Sequence, residues 1–185
     1  WDGPIVVGID AGDGEYTLNR LERAGQLTRV RDGLIRDARP SPSGWIALCL
    51  PDKSVAIRDP SGRETRLARR GYRPTWNQDG TVIAFVELLD RTPTQADSFL
   101  EPTGLRLFDT RSAVLTRVVE GEGDTDAVVA PDGQHVLFVS GRSRLAAFWV
   151  VPAAGGDPWQ VSNFGKEIDA SFIPLPSSDL IWDAA

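Results

Sequence analysis

The same short unit, a polar or Gly-containing turn followed at once by an apolar strand, recurs along this 185-residue chain, and no other feature constrains its folding as strongly. It reads Asp2-Gly3-Pro4-Ile5-Val6-Val7, then Pro42-Ser43-Gly44-Trp45-Ile46-Ala47-Leu48. It returns as Gln78-Asp79-Gly80-Thr81-Val82-Ile83-Ala84-Phe85 and as Pro131-Asp132-Gly133-Gln134-His135-Val136-Leu137-Phe138, with a degenerate copy at Pro176-Ser177-Ser178-Asp179-Leu180-Ile181-Trp182. Counted at the third turn residue, the intervals are 41, 36, 53 and 45. A second column starts at Gly25, Gly62, Ala113 and Gly156, each leading a short strand, with intervals of 37, 51 and 43. Both columns lengthen in the same repeat, so one insertion explains both, and the Pro-containing stretch 89–103 is its place. The repeats run approximately 1–33, 34–71, 72–121 and 122–163, with a partial one at 164–185.

Each period reads as four short strands. In the third they are expected at about 73–77, 81–88, 104–109 and 114–119, and in the fourth at about 125–130, 135–140, 146–151 and 158–162. Leu105-Arg106-Leu107 alternates, whereas Val136 to Val139 is nearly continuous in apolar residues, the pattern of a strand covered on both faces. Gly (18) and Pro (13) interrupt every window long enough for an amphipathic helix. Four strands in about 40–45 residues is the arithmetic of a β-propeller blade. The expected fold is therefore all-β, a propeller of four-stranded antiparallel blades.

The residues Arg73-Pro74-Thr75-Trp76-Asn77-Gln78-Asp79-Gly80-Thr81-Val82-Ile83-Ala84-Phe85 resemble the PD40 (WD40-like) repeat of TolB-type propellers. The stretch Ala130 to Phe138 is similar, and Ala154-Gly155-Gly156 with Val161-Ser162 stands where that family has its Gly-Gly turn and L-T pair. Within the motif the Asp-Gly pair makes a tight turn, and Trp76 is expected to pack between blades. At a period of about 44 residues the chain holds about four blades, whereas a closed ring of this resemblance takes about six to eight. The chain therefore reads as part of a larger propeller or as half of one completed by a second chain. A four-bladed ring closed by the strand near Ile168 to Ile173 is the other arrangement. The absence of Met, at position 1 and elsewhere, reads as a mature or excised segment.

Chemistry is sparse. One His and one Cys exclude zinc sites built from several such ligands, and no G-x-S-x-G elbow accompanies His135. Cys49, flanked by Leu48 and Leu50, reads as a small buried hydrophobe. Asp10 to Glu15 is dense in acid and Gly but lacks EF-hand spacing, so a hairpin turn is expected there. No catalytic, cofactor-binding or metal-binding residues are assigned. The net charge of −6 weighs against nucleic acid as a partner, and no apolar run is long enough for membrane insertion as a helix.

Two features suggest protein contact. Arg63, Arg66, Arg69, Arg70 and Arg73 form a basic run, suited to an acidic partner or to a charged edge that blocks sheet-to-sheet pairing. Glu120, Glu122, Asp124 and Asp126 form an opposite patch at the next crossing. The insertion carries Phe99 and Leu100 among polar residues. The TolB resemblance implies a non-enzymatic protein–protein interaction scaffold in a bacterial envelope, periplasmic or exported. The alternatives are the substrate-gating propeller of a prolyl-oligopeptidase-like serine hydrolase and a small-ligand-binding propeller. Another protein, another propeller segment, or a second copy completing the ring is the expected partner.

Overall fold

The polar turns are closed by their own side chains and amides. Asn77 N donates to Val82 O (2.9 Å) and Gly80 N to Asn77 O (3.0 Å). The Asn77 side-chain oxygen accepts from Thr81 N and Val82 N. Ser41–Trp45 and Ala130–His135 repeat the backbone bonds. Gly44, Gly80 and Gly133 take φ of +85°, +69° and +71°, a region open to glycine and strained for other residues. These turns force the chain to double back as hairpins, with one strand on each side.

The computed structural model describes residues 5–22, 24–89, 102–121, 123–144 and 146–162. Blade 1 contains β1 (Ile5–Gly12), β2 (Glu15–Leu21) and β3 (Leu27–Ile35). Blade 2 contains β4 (Asp37–Pro40), β5 (Ile46–Cys49), β6 (Val55–Arg58) and β7 (Glu64–Ala68). Blade 3 is β8 (Gly71–Trp76), β9 (Val82–Leu88), β10 (Pro102–Asp109) and β11 (Val114–Glu120). Blade 4 is β12 (Thr125–Val129), β13 (His135–Ser140), β14 (Ala147–Pro152) and β15 (Trp159–Gln160). Every sheet is antiparallel with strands in sequence order, three in the first and four in each of the others. The strand ends in blades 3 and 4 differ from the sequence expectation by at most two residues. No helix occurs among the described residues, and none is long and apolar enough to cross a membrane. The expected strand at 168–173 and the fifth turn-and-strand copy lie outside the described residues.

Strand pleating explains the continuous apolar runs. In β9, Val82, Ala84 and Val86 face blade 4, where they join Ala127, Val129, Val136 and Phe138. Ile83 and Phe85, one step out of phase, face blade 2 and meet Ala47, Ile57 and Val55. β5 divides in the same way: Ile46 and Leu48 pack on Leu18 and Ile35 of blade 1, and Ala47 and Cys49 turn to blade 3. Each fully buried large side chain contributes roughly 1.5–3 kcal/mol, so the seams between sheets, not the sheets themselves, hold the core.

Trp76 stands in the seam between blades 2 and 3, as expected, and its indole N–H donates to Arg39 O (2.7 Å). Ser43 Oγ donates to Gly80 O (2.6 Å) across the same seam. On blade 3, Glu87 accepts both Arg106 Nε and NH2 (2.9 Å each) and Arg117 NH2 (2.6 Å), joining β9, β10 and β11. Partial burial pushes the Glu87 carboxyl up, but the hydrogen bonds from Arg106 and Arg117 outweigh it and hold the group below the usual glutamate range.

Two outcomes are expected. Gly80→Ala and Gly133→Ala share the left-handed strain, about 1–2 kcal/mol each. A Cβ at Gly80 would also meet Pro42 Cδ at 2.8 Å and Ser41 Cβ at 2.9 Å, while at Gly133 the nearest atom is Asn77 Nδ2 at 3.9 Å. Urea unfolding should therefore find Gly80→Ala the worse by a further 1–3 kcal/mol or so; equal losses would refute the seam contact. For Glu87, a lowered folded-state pKa means stability present above the ordinary glutamate range and lost as pH falls through it. Glu87→Gln should cost about 1 kcal/mol at pH 7, with the deficit shrinking below pH 4.5 or so. A deficit that stays constant down to acid pH would count against this assignment.

Candidate functional site

The basic run does not form one patch, because it crosses a blade from end to end. Arg63 is exposed in the turn between β6 and β7, where its carbonyl accepts from Asp59 N (2.9 Å). Arg66, midway along β7, places NH2 3.0 Å from Asp52 Oδ2 in the β5–β6 turn, which lies at the opposite end of the sheet. Both partners are about half exposed, so the pair contributes little to stability. Arg69 and Arg70 occupy the crossing from β7 to β8 at that same end. Arg70 NH1 donates to Leu89 O (2.7 Å) and Arg70 O accepts from Leu88 N (3.1 Å). The basic crossing is thereby tied to Leu88 and Leu89 at the end of β9. Phe99 and Leu100 lie outside the described residues.

Arg73 departs from the others. It sits on the innermost strand of blade 3 and forms an ion pair with Asp126 on the innermost strand of blade 4. Both residues have positive φ, +52° and +53°, and each marks a shift in the pairing of its strand, between Tyr72 and Thr75 and between Thr125 and Val128. These bulges turn two charged side chains toward one another across the seam. Tyr72 OH lies 3.2 Å from Thr125 Oγ1, which in turn lies 3.2 Å from Asp126 Oδ2. Thr75 Oγ1 donates to Ala127 O (2.6 Å).

The acidic patch expected at 120–126 is divided accordingly. Asp124 and Asp126 are buried, at 0% and 3% exposure, whereas Glu120 stands on the surface, accepting from Arg117 (2.5 Å). Glu122 lies outside the described residues. Asp124 pairs with Arg142, whose guanidinium lies 5.2 Å over the rings of both Phe138 and Trp149. Burial raises the Asp126 carboxyl above the usual aspartate range even though Arg73 and Thr125 pull it down, and burial likewise raises Tyr72. Sequence reasoning missed this network because charged residues in a run read as surface. The available signal was columnar: Arg73 and Asp126 each stand three residues before the last residue of an inner strand, Trp76 and Val129, with opposite charges.

The remaining chemical groups occupy packing positions. Cys49 is 6% exposed, and burial, then the Asp37 carboxylate, pushes its thiol up to about 12, so it is not an activated nucleophile. His135 meets Trp159 edge to face at 5.9 Å. Asp10 Oδ1 accepts from Gly12 N (2.8 Å) where β1 turns into β2, and Asp13 and Gly14 both have positive φ, the hairpin expected there. Among the described residues no group of three His, Cys, Asp or Glu side chains converges as metal ligands. A groove of about 310 Å³ runs between β1, β2 and β4, lined by Val6, Tyr16, Leu18, Ile35 and Ala38 among others.

No family model matches this chain, and no curated protein matches it. Solved structures do. One assigned as TolB from Agrobacterium tumefaciens is 20% identical with a TM-score of 0.56, covering 80% of this chain and 55% of that one. An oligogalacturonate lyase in complex with manganese is 16% identical with a TM-score of 0.61, covering 80% and 46%. A prolyl endopeptidase is 15% identical with a TM-score of 0.51, covering 88% and 30%. This chain thus spans about half the length of the first two. At such identities the likeness is one of fold, and that fold serves proteins of different activity. The chain is an all-β arc of β-propeller blades, of the architecture found in TolB.

Proposed function

We propose that this chain is a non-enzymatic β-propeller scaffold that docks an acidic partner protein, in the periplasm or another exported setting. The observation that carries the reading is the hydrogen bond from Arg70 NH1 to Leu89 O. It ties the crossing that bears Arg69 and Arg70, with Arg66 nearby on β7, to Leu89 just past the end of β9. Cationic side chains therefore gather at one end of blades 2 and 3, a composition suited to the charged rim of an interface. A local cationic surface on a chain of net charge −6 favours an acidic partner. The packing roles of Cys49 and His135 support a scaffold over a nucleophilic enzyme. The envelope setting rests on the likeness of fold to TolB.

The rival is a non-catalytic propeller that gates access to a serine hydrolase, and the likeness to a prolyl endopeptidase favours it. Cross-linked capture from a bacterial envelope extract separates the two. Arg66→Glu/Arg69→Glu/Arg70→Glu should reduce capture of an acidic protein by about tenfold or more, because several charge pairs reverse at once. Its thermal midpoint should fall by only a few degrees, since Arg66 and Arg69 are exposed and Arg70 gives up a hydrogen bond to Leu89 O. Undiminished capture by this variant would defeat the docking surface. An intact parent protein whose mass and sequence include a G-x-S-x-G hydrolase region would defeat the scaffold reading in favour of the gate.

A further inference from the structure

The opposite end of blade 2 carries a second, separate cationic feature. Where the β4–β5 and β6–β7 turns face blade 1, a groove of about 210 Å³ opens with Arg20, Arg29 and Arg58 in its wall, beside Thr28, Ser61 and Gly62. Arg20 lies on β2, opposite Thr28 on β3, and its side chain makes no hydrogen bond or ion pair among the described residues. Arg29 uses Nε on Arg31 O (3.1 Å). Arg58 uses NH1 on Gly62 O (2.7 Å) and on Glu64 Oε1 (3.3 Å). Glu64 in turn accepts from Arg31 Nε across the seam (2.9 Å), so its charge is shared between two arginines.

The only carboxylate in the wall, Asp59, is turned into its own loop. Its Oδ1 accepts from Ser61 Oγ (2.6 Å) and Arg63 N (2.9 Å). The loop amides are spent as well: Gly62 N donates to Asp59 O (2.9 Å) and Gly44 N to Ser41 O (3.1 Å). Phosphate sites in loops are built from free, convergent backbone N–H groups, and these two turn glycines offer none. The groove offers guanidinium forks, which match a carboxylate in two-point geometry, and one fixed negative charge that disfavours a dianion. Its volume suits a side chain, below the range of pockets that enclose whole small molecules.

We propose that this groove binds the carboxylate side chains of an acidic peptide segment, with Arg20 and Arg58 as the principal contacts. It lies at the other end of the sheets from Arg66, Arg69 and Arg70, so either surface can fail without the other. The test is fluorescence anisotropy with a labelled peptide of alternating Asp and Gly, at about 0.15 M ionic strength, where the Debye length is about 8 Å. Saturable binding is expected, with Arg20→Glu weakening it by about tenfold or more, the scale of one charge-assisted hydrogen bond. Arg111→Glu, a charge-matched change in the β10–β11 turn of blade 3, should leave the affinity within about twofold, because Arg111 is no part of the groove wall and its exposed charge is screened by salt. Equal weakening by both variants would reduce the effect to diffuse attraction and overturn the site. Absence of saturable binding would overturn it too. Inorganic phosphate that displaces the peptide well below the chloride concentration of equal ionic strength would assign the groove to phosphate instead, and that also overturns the proposal.

Discussion

A four-stranded sheet with apolar residues on both faces cannot be stable alone, and every other feature of this chain follows from that constraint. β9 shows it most directly. Its odd- and even-numbered side chains enter two different cores, one shared with blade 2 and one with blade 4. Removing either neighbour would leave half of the strand against water. Stability is thus a property of seams, as in other repeat architectures, and a blade is stable only in company. The turns fix where each strand begins, and even the charged outer strands lend Ile35, Ala68, Val118 and Val119 to the burial.

The seam between blades 3 and 4 changes character along its radius. Val86, Leu105, Ala127 and Phe138 make its middle apolar. Toward the innermost strands, Tyr72, Arg73, Thr75, Thr125 and Asp126 make it polar. Buried polar groups are tolerable only when they find partners, and here the bulges at Arg73 and Asp126 aim the partners at one another. The left-handed backbone at two non-glycine residues is a cost of order 1–3 kcal/mol each, sustained because the pairing across the seam fixes both.

How much of this was legible in the sequence differs with the physics involved. The Asp-Gly and Ser-Gly turns were legible because positive φ is nearly a glycine property, and Gly44, Gly80 and Gly133 occupy it as the repeat columns required. Trp76 was legible because an indole of that size beside a tight turn has few places to go except a seam. The basic run was legible as charge but not as shape. At roughly 3.3 Å per residue, the stretch from Arg63 to Arg73 is long enough to cross the sheet and turn back into the next blade, so five neighbours in sequence occupy three places in space. Asp124 and Asp126 were misleading for a related reason. Their burial depends on Arg142 and Arg73, residues 18 and 53 positions away, and composition along a window cannot register such partners.

The pairing of Arg73 with Asp126 also bears on how such a chain can grow by duplication. The two blades carry opposite charges at matching bulges, so each is the complement of its neighbour rather than a copy of it. Inserting a duplicate of either blade between them would bring like charge to like charge. A bar to duplication is therefore written into the seam. An arc that looks modular in its turns and strands is, at its inner radius, a lock whose wards reject a second copy of either blade.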